Sequence, residues 1–282
     1  MVGFAEKIIA GRWIAGPSIN DAIERSRSFN KKDIGTILNY LGEELTDKGK
    51  IEDTIDTYRK LIKGIKAGKI NSSISLKPTQ LGLSLDYDLF KKNYTYILNQ
   101  ASGNGIFTWL DMEEREYIDD TIRAYINAIG KHKKMAGICI QANMKRSYAD
   151  VKKIIANEGI IRLVKGAYSS PGFQYEDKES IDNNFIKLMN YIFLHSEKFM
   201  IATHDVRMIS TARELNIKYK RDVTYAMLNG IRNKLAVELA KTDKVAVYVP
   251  FGREWVAYSY RRLKEAGHLS LILKSLLENQ GI

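Results

Sequence analysis

Tyr258, Arg261, Arg262 and Glu265 fall at i, i+3, i+4 and i+7, so a helix through them carries a phenol, two guanidiniums and a carboxylate on one face. Adjacent arginines repel each other unless an anion answers them. Glu265 can answer Arg261 from one turn away, which leaves the second guanidinium to fork onto a carboxylate or phosphate from outside, a geometry lysine does not offer. Taken alone, the stretch is more simply a solvated charged face, and its meaning depends on the elements that surround it.

The 282 residues are 45% hydrophobic and 27% charged, a soluble globular composition with room for a sizeable core, which excludes disordered and fibrous classes. The 44 Lys+Arg against 33 Asp+Glu leave a net charge of +11. That excess is diffuse: lysines come singly or in pairs such as Lys31-Lys32, Lys91-Lys92, Lys133-Lys134 and Lys152-Lys153, beside acids. A nucleic-acid reader concentrates its charge in a stripe or arm, so no nucleic-acid partner is expected. A diffuse positive field suits anionic small molecules or an anionic membrane surface. Cys139 is the single cysteine, which excludes an intrachain disulfide and a Cys-based metal site; within Gly137–Gln141 it reads as a small core residue. Glu6, Lys7 and Arg12 interrupt any signal-peptide core, and no apolar run approaches the roughly 18 residues of a transmembrane helix. A cytoplasmic protein is expected.

A helical preface occupies about 1–33, with Ser18 and Asp21 as a capping pair. Eight apolar runs of β type follow: Gly35–Tyr40, Ser73–Lys77, Ile106–Asp111, Gly137–Gln141, Ile161–Lys165, Met200–Thr203, Thr224–Leu228 and Val245–Val249. Helical periodicity fills the intervals, as in Ile51–Ile65, Tyr117–Ile129, Ser180–Lys198 and Arg207–Leu215. Strand starts lie about 30 residues apart, the length of one βα unit. The pattern predicts an α/β fold, a single-domain (β/α)8 TIM-like barrel over 1–282, with an open doubly wound sheet as the alternative. Against the open sheet, Leu41-Gly-Glu43 after the first strand lacks the glycine fingerprint for phosphate.

Barrel chemistry sits at the C-terminal ends of the strands. Those ends supply Glu43, Lys77, Asp111, Gln141, Arg162, Lys165, Tyr168, Thr203, His204 and Tyr248. Cations outnumber acids there, so the mouth is expected to attract an anionic ligand. His204 is the single histidine at a strand end, and no metal site is expected. Lys77 and Lys165 are each placed to serve as a Schiff-base lysine of an aldolase, and a basic, non-catalytic RNA- or membrane-binding barrel also remains open.

Six motifs now stand in order along these ends: Ser75-Leu-Lys-Pro78, Leu110-Asp-Met-Glu113, Ile161-Arg-Leu-Val-Lys-Gly-Ala-Tyr168, Ala202-Thr-His204, Val247-Tyr-Val-Pro250 and Tyr258-x-x-Arg-Arg-x-x-Glu265. Together they resemble the proline dehydrogenase family, in its monofunctional form without a fused aldehyde dehydrogenase domain. The resemblance implies a distorted barrel that holds FAD and oxidises L-proline to Δ1-pyrroline-5-carboxylate. It implies that Lys77, Arg261 and Arg262 hold the substrate carboxylate, that Leu228, Tyr248 and Tyr258 enclose the ring, and that Asp111 is an acid near the pocket. Glu43 resembles the acid that pairs with Arg261, with Glu265 as a second partner. For FAD it points to Gln141, Arg162, Val164, Lys165, Gly166, Ala167, Tyr168, Thr203 and His204. An arginine near the isoalloxazine can stabilise the reduced ring.

Ser169-Ser170-Pro171-Gly172 departs from the large residue that several relatives carry after Gly-Ala-Tyr, which predicts a looser loop there. Tyr248 stands where hydroxyproline-oxidising relatives have serine, which favours proline as substrate. Leucine and isoleucine between Leu269 and Leu277 predict an amphipathic C-terminal helix at about 268–280, docked on the barrel or on a second copy in a homo-oligomer. The family resemblance implies a quinone as electron acceptor, which joins the positive charge in favouring peripheral contact with the inner face of the cell membrane.

Overall fold

The computed structural model describes residues 13–132 and 134–255. Tyr258, Arg261, Arg262, Glu265 and the helix expected at about 268–280 lie outside the described residues. Helix α1 (Ile19–Asn30) opens the described chain, and the barrel strands follow as β1 Gly35–Tyr40, β2 Ser72–Leu76, β3 Thr108–Leu110, β4 Ala136–Gln141, β5 Ile160–Val164, β6 Lys198–Ala202, β7 Asp222–Leu228 and β8 Lys244–Phe251. All pair in parallel and in chain order, and β1 pairs with β8 from Gly35↔Ala246 to Tyr40↔Phe251. That ladder closes the barrel and excludes the open sheet. Strands β1 to β7 are each followed by a helix: α2 Lys48–Ala67, α3 Tyr87–Gly103, α4 Ile118–Ile129, α5 Ser147–Ala156, α6 Lys178–His195, α7 Val206–Tyr219 and α8 Asn233–Ala240.

The local sequence explains where these helices begin. Ser18 and Asp21 form the expected capping box, Asp21 N–H donating to Ser18 Oγ at 3.2 Å and Ser18 N–H to Asp21 Oδ2 at 2.9 Å. Asp47, Asp86 and Asp177 cap α2, α3 and α6 by accepting from the backbone N–H three residues on. The α1 face carrying Ala22, Ile23 and Phe29 is buried, and the helix packs on β1 and β8, so the preface covers the junction that closes the barrel.

Most element boundaries shift by one to four residues from the apolar pattern, and two of the shifts have a plain local cause. Strand β3 starts at Thr108 rather than Ile106, because the Ile106 N–H is taken by the Ala101 carbonyl where α3 ends. Helix α6 stops at His195 rather than Lys198: Lys198 pairs with Asp222 as the first residue of β6. Periodicity cannot see either event, since the residues concerned are apolar or ambivalent in both states.

Inside the barrel, Ile37, Trp109, Met200, Ala226 and Ala246 form an apolar plug separate from the larger core between strands and helices. Gly137 makes room for it, since a Cβ there would lie 2.4 Å from the Trp109 ring. The Arg162 guanidinium rests over that ring at 5.1 Å, so polar chemistry begins where the plug ends. Among the described residues no helix is long and apolar enough to cross a membrane.

Candidate active site

A cavity opens at the C-terminal ends of the strands, with about 1040 Å³ of space outside protein atoms when its mouth is included. Lys77, Asp111, Gln141, Arg162, Val164, Lys165, Gly166, Ala167, Tyr168, Thr203, His204, Leu228 and Tyr248 all line it. Of the described residues singled out in the sequence, Glu43 alone is not in that lining, and it binds two that are. Lys77, Asp111 and Thr203 each stand one residue past a strand, where the backbone leaves the ladder and side chains turn to the mouth.

Asp111 is the hub of the inner part. Its Oδ1 accepts Ser75 Oγ–H at 2.7 Å and also takes Arg162 Nη2, while Oδ2 accepts the Tyr248 hydroxyl at 2.9 Å. Burial would push this carboxyl up, but the charges of Arg162 and Lys77 hold it below the usual aspartate value. The Arg162 Nε–H donates to Cys139 Sγ at 2.8 Å. Burial raises the Cys139 thiol to about 12, so it stays a neutral acceptor. Arg162 is 3% exposed, and its Nη1 has no acceptor among the described residues. An unanswered buried guanidinium N–H beside a cavity calls for an acceptor carried by a ligand.

Lys77 anchors a second group. Its ammonium lies 2.8 Å from Glu43 Oε1 and donates to the Tyr168 hydroxyl at 2.9 Å, and that hydroxyl donates to Glu43 at 3.1 Å. Burial alone would push Lys77 down, but Glu43 and its other neighbours hold it well above the usual lysine value. A protonated amine is not the nucleophile a Schiff-base aldolase requires. Lys165, the other lysine considered for that chemistry, is paired with Asp182 at 2.5 Å and Asp205 at 3.2 Å.

These pairings supply the counter-charges of the cationic strand ends. Within the described residues, each strand-end cation has an acid beside it: Glu43 for Lys77, Asp111 for Arg162, Asp182 and Asp205 for Lys165. Asp182 and Asp205 escaped notice because they sit within α6 and directly before α7, where acids also serve helix starts. The expected loose loop after Tyr168 is corrected. Tyr175 N–H donates to the Asn143 carbonyl at 2.7 Å, Lys145 N–H to Phe173 at 3.1 Å, and Ser170 N–H to Gln174 Oε1 at 2.7 Å, which stitches this loop to the one after β4. Arg115 stacks on the Phe173 ring at 3.5 Å.

Gly166 has φ +109, and a Cβ on it would fall 2.1 Å from Asn143 Oδ1, so only glycine lets these loops meet at the cavity wall. His204 Nε2 accepts the Leu228 N–H at 3.1 Å, which ties the loop after β6 to the end of β7. Cys139, Ser75 and Met227 were missed as site residues. Cys139 and Ser75 do occupy core positions, and no pattern distinguishes an inward strand residue at the plug from one at the mouth. Glu113, which ends the Leu110-Asp-Met-Glu113 motif, is buried and receives both the N–H and the hydroxyl of Thr79 at 2.8 Å.

A family profile described as proline dehydrogenase matches residues 22–274. Proline dehydrogenase 1 of Bacillus subtilis (strain 168) is 29% identical over 281 residues, 98% of this chain and 93% of the relative. Proline dehydrogenase of Deinococcus radiodurans is 32% identical over 266 residues, 91% of this chain and 86% of the relative. Among solved structures, proline utilization A of Bdellovibrio bacteriovorus, inactivated by N-propargylglycine, superposes with a TM-score of 0.87 at 20% identity. The match covers 97% of this chain and 34% of that longer one, and carries the fold.

Proposed function

The chain belongs to the proline dehydrogenase family, oxidoreductases acting on a CH–NH donor, and from that premise we propose that it oxidises L-proline to Δ1-pyrroline-5-carboxylate with FAD. The observation that carries the reading to residues is the convergence of Lys77, Asp111, Arg162, Leu228 and Tyr248 on one cavity in a chain matched from residue 22 to 274. When bound, FAD supplies the hydride acceptor.

The residues present suit that group. Arg162 Nη1 offers an unanswered donor, and Gly166 lets the loops after β4 and β5 close up against each other at the cavity wall. Gln141, Val164, Ala167, Tyr168, Thr203 and His204 would complete its surroundings, with Lys165 at the rim already shared with Asp182 and Asp205. For the substrate, an ammonium has three donors, and Lys77 directs two at Glu43 and Tyr168, which leaves one for a carboxylate. Arg261 and Arg262 would supply the remaining charge, Arg262 more directly and Arg261 shared with Glu43 or Glu265. Charge-assisted bonds of about 1.5–3 kcal/mol each suffice to anchor a ligand as small as proline. Tyr248, held by Asp111, would pack the ring opposite the carboxylate together with Leu228 and Tyr258. Fixing both ends of the substrate sets the reacting carbon, which is where positioning contributes most.

A quinone acceptor, peripheral membrane contact from the cytoplasmic side and a homo-oligomer complete the proposal; flotation with anionic liposomes and light scattering test the last two. For the activity itself, the purified protein is given L-proline and an artificial electron acceptor, and the cyclic imine product is captured with o-aminobenzaldehyde. Acceptor reduction with matching imine formation is expected; acceptor reduction without imine, or neither in a protein replete with FAD, overturns the reading.

A further inference from the structure

We propose that Glu113 is a positioning residue that sets the substrate anchor Lys77 through Thr79, an inference that rests on the proline-oxidising reading above.

Lys77 leaves β2 and is followed by Pro78 and a 3-10 turn over Thr79–Leu81. A turn of this length is placed by what grips it. Gln80 Nε2 donates to the Tyr40 carbonyl at 2.9 Å and Asn93 Nδ2 to the Leu81 carbonyl at 3.0 Å, while Glu113 holds Thr79, the turn residue nearest the anchor. Its Oε2 accepts the Thr79 N–H at 2.8 Å and its Oε1 accepts the Thr79 hydroxyl at 2.8 Å, so one residue of the turn is gripped at two points. The same Thr79 hydroxyl accepts the Glu44 N–H at 2.9 Å. Glu44 has φ +51, a left-handed conformation that a non-glycine residue holds only where its surroundings enforce it. Its neighbour Glu43 then meets Lys77 at 2.8 Å. On the other side, Gln141 Nε2 donates to the Glu113 carbonyl at 2.9 Å. A single residue two places after Asp111 thus joins the loops after β1, β2 and β3 to the end of β4, the four that carry Glu43, Lys77, Asp111 and Gln141.

Glu113 is 1% exposed and its described side-chain bonds come from the neutral Thr79. Burial of this carboxylate outweighs the help it receives from the Lys77 charge, so it is a costly way to close a loop, and an apolar residue would pack more cheaply. What the carboxylate adds is two directional bonds to the residue two places beyond the anchor. A displacement of about 1 Å in that turn is enough to weaken an anchor that must meet a small ligand.

Steady-state kinetics with L-proline on FAD-loaded protein test this with Glu113→Leu, Thr79→Val and Glu113→Gln. Glutamine keeps both bonds, its carbonyl accepting from Thr79 N–H and its amide donating to the hydroxyl oxygen. Glu113→Leu and Thr79→Val are expected to raise KM for proline about tenfold with kcat within about threefold of the parent, and Glu113→Gln to stay within about threefold in both. Unchanged KM in a folded Glu113→Leu or Thr79→Val, a loss confined to kcat or to FAD content, or a glutamine variant as impaired as leucine, overturns the proposal. Should Glu113→Leu fail to fold, Thr79→Val decides alone. A parent protein that oxidises proline while the variants match it refutes this inference only; a parent that does not oxidise proline removes the functional reading beneath it.

Discussion

The Tyr248 hydroxyl donates to Asp111 Oδ2 at 2.9 Å, across 137 residues of chain and from β8 to the end of β3. The other oxygen of Asp111 is taken by Arg162 and Ser75, so one carboxylate orients a ring proposed to touch substrate and a guanidinium proposed to touch flavin. Removing the hydroxyl should therefore cost a charged-acceptor hydrogen bond, about 1.5–3 kcal/mol. Tyr248→Phe is expected to lower kcat/KM for L-proline about 10- to 150-fold while the flavin content of the purified protein stays normal.

Asp111→Ala goes deeper. It leaves Arg162, 3% exposed, without its described counter-charge. Breaking a buried pair from one side typically costs about 3–5 kcal/mol, because the remaining charge is stranded. Urea denaturation should show a loss of that order, against a change near zero for a surface substitution such as Lys60→Ala.

Glu113 predicts a pH dependence of stability. Burial raises its carboxyl from 4.5 to about 7 in the folded protein. Between those values the folded state holds a proton that the unfolded chain has released, so stability falls as pH rises through the window. Below it both states are protonated, and above it the loss is complete. Denaturant midpoints at pH 4.5, 6 and 7.5 should show the parent losing on the order of 1–3 kcal/mol relative to Glu113→Gln. A constant difference across that range would contradict the raised value.

Gly166 gives the sharpest local test of the cofactor wall. An alanine there must adopt φ +109 and place its Cβ 2.1 Å from Asn143 Oδ1, so the loop after β5 or the one after β4 must move. With the strain of an unfavourable backbone region at about 1–3 kcal/mol, Gly166→Ala is expected to bind FAD at least about tenfold more weakly. Titration of the flavin-stripped protein with FAD, followed by fluorescence, measures this without turnover.

The barrel was legible because strands covered on both faces are mainly apolar and polar residues gather toward their C-terminal ends. Lys77, Asp111, Gln141, Arg162 and Tyr248 were found that way, and the structure sets them around one cavity. The wiring between them was not legible. Whether Lys77 meets Glu43, or Lys165 meets Asp182 and Asp205, depends on which loops lie side by side, and spacing along the chain carries no such information. Cys139 shows the limit from the other side: core residue is a correct description, yet its sulfur also accepts from Arg162 at the cavity floor. Tyr258, Arg261, Arg262 and Glu265 lie outside the described residues, and their roles rest on the family resemblance.

On the reading proposed above, this cavity brings L-proline and FAD together for hydride transfer. The most direct measurement is the anaerobic absorption spectrum of the FAD-loaded protein before and after L-proline is added. The oxidised-flavin band should bleach on addition and return when air is admitted or an acceptor is supplied. A flavin band that L-proline leaves untouched without air would contradict the claim.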